Sequence, residues 1–382
     1  MKKNTYTVEN SGGSGDGGIK AWSFGNHQLL VRRVMQVTMS IAGLAVLWMF
    51  LSNSASSIEF HTFSHYFSAQ SIKAGYESKL ESVLRTASMK DNKTVIITTL
   101  NDAWAKPGSI FDLFTLRGPV GNETQWLLNH LVVITWDQKT NAYCLAMHKH
   151  CYQVETKGSN FTGEVFFMSP TYLRMMWRRT EFLTSVLEMG YNFVFTDTDI
   201  MWLRDPFKQF YEDADFQIAC DAFNGNSSDI NNYPNGGFKY IKSNNRTIWL
   251  NKFWFNSSKE YPGFGEQAVF NKIKLNPLIS QMKLKIRFLS TSYFGGFCEP
   301  SKDLNKVSTM HANCCVGIDN KVNDLKILLE DWKKYMALPE IEKKQSNLTW
   351  SVPQSCSTSF ERANEERKKN KGRLQRALVE TV

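Results

Sequence analysis

The sequence predicts an α/β domain over residues 92–355, built on a mostly parallel sheet. Three observations carry this. Short β-branched or aromatic runs alternate with helical patterns. The longest helical pattern, 170–189, has Pro170 near its start and Gly190 at its end. The chain then enters Phe193-Val194-Phe195, an apolar strand-forming run that leads directly into Asp197-Thr198-Asp199. In open α/β sheets ligands gather at the carboxyl ends of strands, and two carboxylates one residue apart there can present oxygens to one hard divalent cation. An isolated Asp-x-Asp is also a common turn, and Asp213-Ala214-Asp215, which precedes a strand-like run instead of ending one, reads as a solvated turn.

Residues 1–33 form a polar tail with a Gly/Ser-rich stretch at 11–18. Residues 34–51 are 18 residues without charge or proline. As a helix at ~1.5 Å per residue they nearly span a bilayer core of ~30 Å. A cleaved signal peptide fits less well, because the charged region before it is long. Arg32 and Arg33 flank its N-terminal side and no Lys or Arg follows until Lys73, so the positive-inside rule predicts a cytosolic N-terminus and a lumenal remainder. The expected protein is a single-pass type II Golgi membrane protein. Seven Asn-x-Ser/Thr triplets, at Asn92, Asn122, Asn160, Asn226, Asn245, Asn256 and Asn347, all follow that span.

Residues 52–91 read as a stem whose later part places Leu80, Val83 and Leu84 on one helical face. The domain opens with a strand at Val95–Thr99, followed by Asn101, Asp102 and Trp104. Helical patterns at 108–116 and 124–129 lead to a strand at 131–136, a helix at 138–149 and a strand near 151–154. Residues 356–382 form a basic C-terminal tail. Net charge is +9, but the tails at 1–33 and 360–382 carry +3 each, leaving +3 for the 326 residues between. That balance argues against nucleic acid as a partner. Seven cysteines in a lumenal domain allow up to three disulfides with one left over, in pairings that spacing does not reveal.

Four further blocks stand out. Asn235-Gly236-Gly237-Phe238 permits close backbone approach to a ligand or a tight hairpin turn. Gly265-Glu266-Gln267 sets an acid and an amide at a helix start. Ser292–Cys298 reads as an aromatic and glycine turn. Met310–Lys321 contains His311 ten residues before Lys321.

With the run 193–206, these blocks resemble the plant nucleotide-diphospho-sugar transferase family, which includes cell-wall xylosyl- and arabinosyltransferases of the GT-A fold. The resemblance covers roughly residues 92–330. It implies a Rossmann-like GT-A domain and a lumenal glycosyltransferase that takes a sugar, a xylose or arabinose, from a UDP-linked donor with retention of configuration. The acceptor it implies is a cell-wall glycan or glycoprotein. Matching positions imply Asp197, Asp199 and His311 as ligands of Mn²⁺ or Mg²⁺. They also imply Asn101, Asp102, Asn235, Gly236 and Gly237 on the donor side, Glu266 and Gln267 at the reacting sugar, and Lys321 facing the leaving diphosphate. Where the family has Asp-Gln, this chain has Glu266-Gln267. Two rivals are a haloacid-dehalogenase-type phosphatase and a membrane-anchored sugar-binding or inactive relative. The first expects Thr or Val where this chain has Met201; the second does not account for a complete carboxylate pair with His311.

Overall fold

The computed structural model describes residues 79–117 and 124–380. The tail, the span at 34–51 and most of the stem lie outside the described residues. Among the described residues no helix is long and apolar enough to cross a membrane.

Ten strands run in chain order: β1 (Thr94–Leu100), β2 (Leu131–Thr135), β3 (Cys151–Gln153), β4 (Asn192–Thr196), β5 (Ile200–Trp202), β6 (Phe216–Ala222), β7 (Tyr233–Ile241), β8 (Ile286–Phe288), β9 (Phe294–Gly296) and β10 (Thr309–His311). The helices are α1 (79–87), α2 (Ile110–Asp112), α3 (Gln138–Met147), α4 (Pro170–Glu188), α5 (Asn245–Ser257), α6 (Glu266–Ile273), α7 (Pro277–Gln281), α8 (Ile318–Met336), α9 (Glu340–Gln345) and α10 (Ser355–Glu380). Seven strands form the central sheet in the order β3-β2-β1-β4-β7-β6-β8. Only β7 runs against its neighbours, so β1, β2, β3, β4, β6 and β8 point the same way and the mostly parallel sheet is as expected.

The central strands are buried along nearly their whole length, which is why they read as continuous apolar runs. Helix α4 delivers the chain to β4. Ser169 caps it by accepting from Tyr172 N, Pro170 occupies its first turn, and Gly190 follows its end at φ 82°, a left-handed turn that suits glycine. Leu80, Leu84 and Ala87 of α1 are buried, so this part of the stem is packed on its surroundings.

A second sheet of three strands, in the order β5-β10-β9, sits beyond the end of β4. Strand β10 pairs antiparallel with β5, in a register that sets His311 opposite Ile200. This small sheet bridges two stretches of chain more than 100 residues apart. The Ser292–Cys298 segment, expected as a turn, contains β9: Gly295 and Gly296 pair with Met310 and His311.

The disulfides are Cys144–Cys151, Cys298–Cys314 and Cys315–Cys356, and Cys220 is a buried free thiol. The segment expected as a tail from 356 thus begins as the first turn of α10, with Cys356 fully buried.

The expectation of a solvated turn at Asp213–Asp215 fails for its second member. Asp213 is half exposed and pairs with Arg287. Asp215 is buried and accepts from Asn244 Nδ2, Arg246 Nη2 and Lys285 N. It ties the start of α5 to β6, a partnership invisible in the local sequence.

Candidate active site

Strand β4 ends at Thr196, and the chain turns through Asp197 and Asp199 before β5 begins. Asp197 N donates to Gly237 O at 2.8 Å, and Ala312 N donates to Asp199 O at 3.0 Å. The turn is therefore held by β7 on one side and by the residue after β10 on the other. Ligand atoms of Asp197, Asp199 and His311 all lie within 4.8 Å of one another. The three residues expected to share a metal are thus brought together by the fold.

The site is suited to a cation. Asp199 Oδ1 is buried with no hydrogen bond among the described contacts, and His311 Nε2 stands 3.3 Å away. A buried, orphaned carboxylate oxygen is costly unless something positive meets it. Two carboxylates and one imidazole form a donor set compatible with Mn²⁺ or Mg²⁺. The wall opposite is backbone: a Cβ on Gly237 would lie 2.6 Å from Asp197 Oδ2 and 2.7 Å from His311 Cε1. Only a glycine fits there, which resolves the Asn235–Phe238 block in favour of close approach within β7, not a hairpin turn.

Lys321, in the first turn of α8, donates from Nζ to Asp199 Oδ2 at 2.5 Å and to Ala312 O at 2.8 Å. Burial alone would raise the Asp199 carboxyl; Lys321 and His311 overcome that and hold it well below the usual carboxylate range. Asp197 goes the other way. Burial pushes it up, Arg179 opposes, and the neighbouring Asp199 charge adds to the rise.

Arg179 was not singled out from the sequence. It is buried in α4 and donates from Nη1 to Asp197 Oδ1 at 2.9 Å and from Nη2 to Glu266 Oε1 at 2.6 Å. Its guanidinium also stacks over Phe195, 4.5 Å from the ring centroid. An arginine on the apolar face of a helix, three residues after Met176 and four before Leu183, was the available signal. Lys239, inside β7, is a second unforeseen cation. Its Nζ donates to Gly236 O at 2.9 Å, and burial followed by the Arg179 charge pushes its ammonium down to about 7.

Asp221 is a third residue not singled out from the sequence, and it is an anion. It lies near the carboxyl end of β6, which runs parallel to β4, so the rule that drew attention to Asp197 applied here too. Its carboxylate accepts from Asn235 Nδ2, Gln267 Nε2 and Asn313 Nδ2, each at 2.8 Å. Gln267 Oε1 in turn accepts from Gly236 N at 3.0 Å. Asn235, Gly236, Gly237, Glu266 and Gln267 therefore share one hydrogen-bonded wall with the carboxylates.

The two residues near β1 that were expected on the donor side stand differently. Asn101 is buried and donates to Phe161 O and Gly163 O, bracing a loop, while Asp102 pairs with Lys139 at the surface. Neither has a hydrogen bond or ion pair to the carboxylates among the described contacts. Trp104, three residues after Asn101, does approach the site: Lys321 Nζ lies 5.8 Å from its ring centroid.

A mostly parallel-stranded α/β domain with two carboxylates, an imidazole and a lysine at one strand end is compatible with a divalent cation there. The family model described as nucleotide-diphospho-sugar transferase matches residues 126–325. The uncharacterized protein At4g15970 of Arabidopsis thaliana is 47% identical over 279 residues, 73% of this chain and 73% of that one. A second from the same plant, At1g28695, is 40% identical over 287 residues, 74% and 84% of the two chains. The chain is more distantly similar to UDP-D-xylose:L-fucose alpha-1,3-D-xylosyltransferase 3 of Arabidopsis thaliana, 27% identical over 180 residues, 41% of this chain and 46% of that enzyme. The protein belongs to the nucleotide-diphospho-sugar transferase family and is a glycosyltransferase.

Proposed function

We propose that the protein is a metal-dependent, retaining glycosyltransferase of the GT-A type. It moves a pentose, xylose or arabinose, from a UDP-linked donor to a cell-wall glycan or glycoprotein acceptor in the Golgi lumen. The carrying observation is the convergence of Asp197, Asp199, His311 and Lys321 at the end of β4. The UDP-xylose named for the distant relative supports the choice of donor.

Asp197, Asp199 and His311 would hold a divalent cation, which would supply countercharge to a departing diphosphate; the imidazole tilts the choice toward Mn²⁺. Lys321 offers a second positive charge on the same side. Arg179 holds Asp197 and Glu266 in fixed relation from behind the site. Through Asp221, the amides of Asn235, Gln267 and Asn313 are fixed before any sugar arrives, so little ordering remains to be done on binding.

The lumenal, membrane-anchored placement rests on the uncharged run at 34–51 behind Arg32-Arg33 and on the triplets that follow it. Three disulfides suit an oxidising compartment. The test is a screen of purified residues 52–382 against nucleotide sugars with Mn²⁺, reading released nucleotide. A UDP-pentose is expected to be turned over, with Asp199→Asn and His311→Ala each losing on the order of 10²-fold. Turnover retained within a few-fold by both variants would reject the site.

A further inference from the structure

A groove of about 410 Å³ opens beside α4, and Asp197 and Asp199 are not among its lining residues. On a helix, Trp177 and Arg179 project to nearly opposite sides; Arg179 reaches the site, and Trp177 lines the groove. The other walls are Phe161 from the loop after β3, Phe255 from α5, and Phe264 from the segment leading into α6, with Lys157 and Arg174 among the lining residues. The volume lies within the range of ligand pockets.

Its chemistry is aromatic and cationic. Trp177 Nε1 donates to Phe264 O at 3.2 Å, and its ring stands edge-on to Phe255 at 6.3 Å, so the indole is fixed in place. Phe264 is exposed. The lining holds three cations, Lys157, Arg174 and Arg178, against the single carboxylate Glu181, which Lys157 and Arg178 share. Arg174 is exposed, and among the described contacts it donates only to Thr171 Oγ1. Fixed aromatic faces suit the C–H faces of sugar rings, and a guanidinium with no carboxylate partner among the described contacts suits a carboxylate on them.

The groove is continuous in chain with the site. Phe264 lies in the groove and Glu266-Gln267 in the site, two residues on. The loop that carries Phe161 is braced by Asn101 at the end of β1. We propose that the groove is an acceptor subsite that holds a uronate-bearing stretch of an acidic glycan while the sugar to be modified reaches the carboxylates. The proposal rests on the glycosyltransferase reading.

Asn160 and Asn256, both exposed and both in glycosylation triplets, flank the lining residues, so the protein's own N-glycan is the competing occupant. The test uses the full-length protein before and after enzymatic removal of N-glycans, with hexagalacturonate and uncharged xylohexaose as probes in calorimetry. Hexagalacturonate is expected to bind at least tenfold more tightly than xylohexaose, and more weakly as salt rises. Arg174→Glu and Trp177→Ala should each weaken it at least tenfold, with acceptor-free nucleotide release unchanged. Arg174 is at the surface, so its variant does not depend on the fold tolerating a core change. Equal affinity for the two probes, no binding, indifference to Arg174→Glu, or binding that appears only after N-glycan removal would each overturn the proposal. Asp199→Asn separates the two readings: it should lower nucleotide release on the order of 10²-fold and leave hexagalacturonate binding intact. Persistent release in that variant would reject the parent function without touching the groove.

Discussion

Lys321 donates to Asp199 Oδ2 across 2.5 Å, although 122 positions separate the two residues. That contact makes the two carboxylates of one motif unlike each other. Asp199 is held ionised by Lys321 and His311, whereas Asp197 is pushed toward protonation by burial against the opposing pull of Arg179.

The two should therefore respond differently to neutralisation. In metal-free protein, Asp199→Asn leaves Lys321 without its carboxylate and should cost on the order of 1–3 kcal/mol. Asp197→Asn should cost less or stabilise. A group with a depressed folded pKa contributes stability above its unfolded pKa, about 4, and loses it as acid approaches the folded value. The Asp199→Asn deficit should thus shrink below about pH 4. Denaturant titration in chelator measures both variants; Asp213→Asn, at a half-exposed position, should stay within about 0.5 kcal/mol of the parent. Greater stability of Asp199→Asn than of Asp197→Asn would contradict the charge pairing.

Gly237→Ala tests the backbone wall. Its Cβ would sit 2.6 Å from Asp197 Oδ2 and 2.7 Å from His311 Cε1, so at least two of the three ligands must shift. We expect a folded protein whose Mn²⁺ affinity falls at least tenfold, read by calorimetry independently of turnover. Undiminished affinity would place the cation elsewhere.

Lys239 predicts a pH dependence. Its ammonium, lowered to about 7 by burial, is protonated more readily in the unfolded chain than in the folded one between about pH 7 and pH 10. The unfolded state then holds more protons, so this group makes stability rise with pH across that window. Its cost is fully present below pH 7. Lys239→Met removes the rise, so the difference in Tm between variant and parent should change steadily from pH 7 to pH 10. A constant difference would mean the lysine titrates normally.

Truncation after Phe360 keeps Cys356 in its bond to Cys315 and keeps Ser359, whose Oγ accepts from Val316 N. Donor turnover should remain within about twofold of the parent, because Glu361, Arg362, Glu365, Glu366, Lys368 and Lys369 are exposed and exposed charge contributes little. Truncation after Ser355 removes that bond and should cost about 2–4 kcal/mol. Equal effects of the two truncations would show that the basic part of α10 carries the stability.

Legibility followed range. Strand β4 and the carboxylates after it were readable because an apolar run and its ending are local. So were Pro170 and Gly190, which mark helix ends through their own backbone preferences. His311 and Lys321 entered through a family resemblance, since nothing near them announces a metal. Arg179, Lys239 and Asp221 were missed for one reason: each charge is explained by partners such as Glu266, Gly236 or Gln267, and tertiary packing chooses those partners. Asp215 was misread as solvated for the same reason, its partners lying 29 to 70 positions away. The glycines of β9 suggested a turn because the local pattern does not contain the neighbouring strand.

The pairing of β5 with β10 has a consequence for biosynthesis. A ribosome releases Asp197 and Asp199 long before His311 and Lys321, and the Cys315–Cys356 bond closes across a separation of 41 residues. The sheet can begin to assemble earlier, but the ligand set cannot. A nascent or prematurely terminated chain that stops before His311 therefore has no complete cation site, whatever part of the central sheet it has already formed.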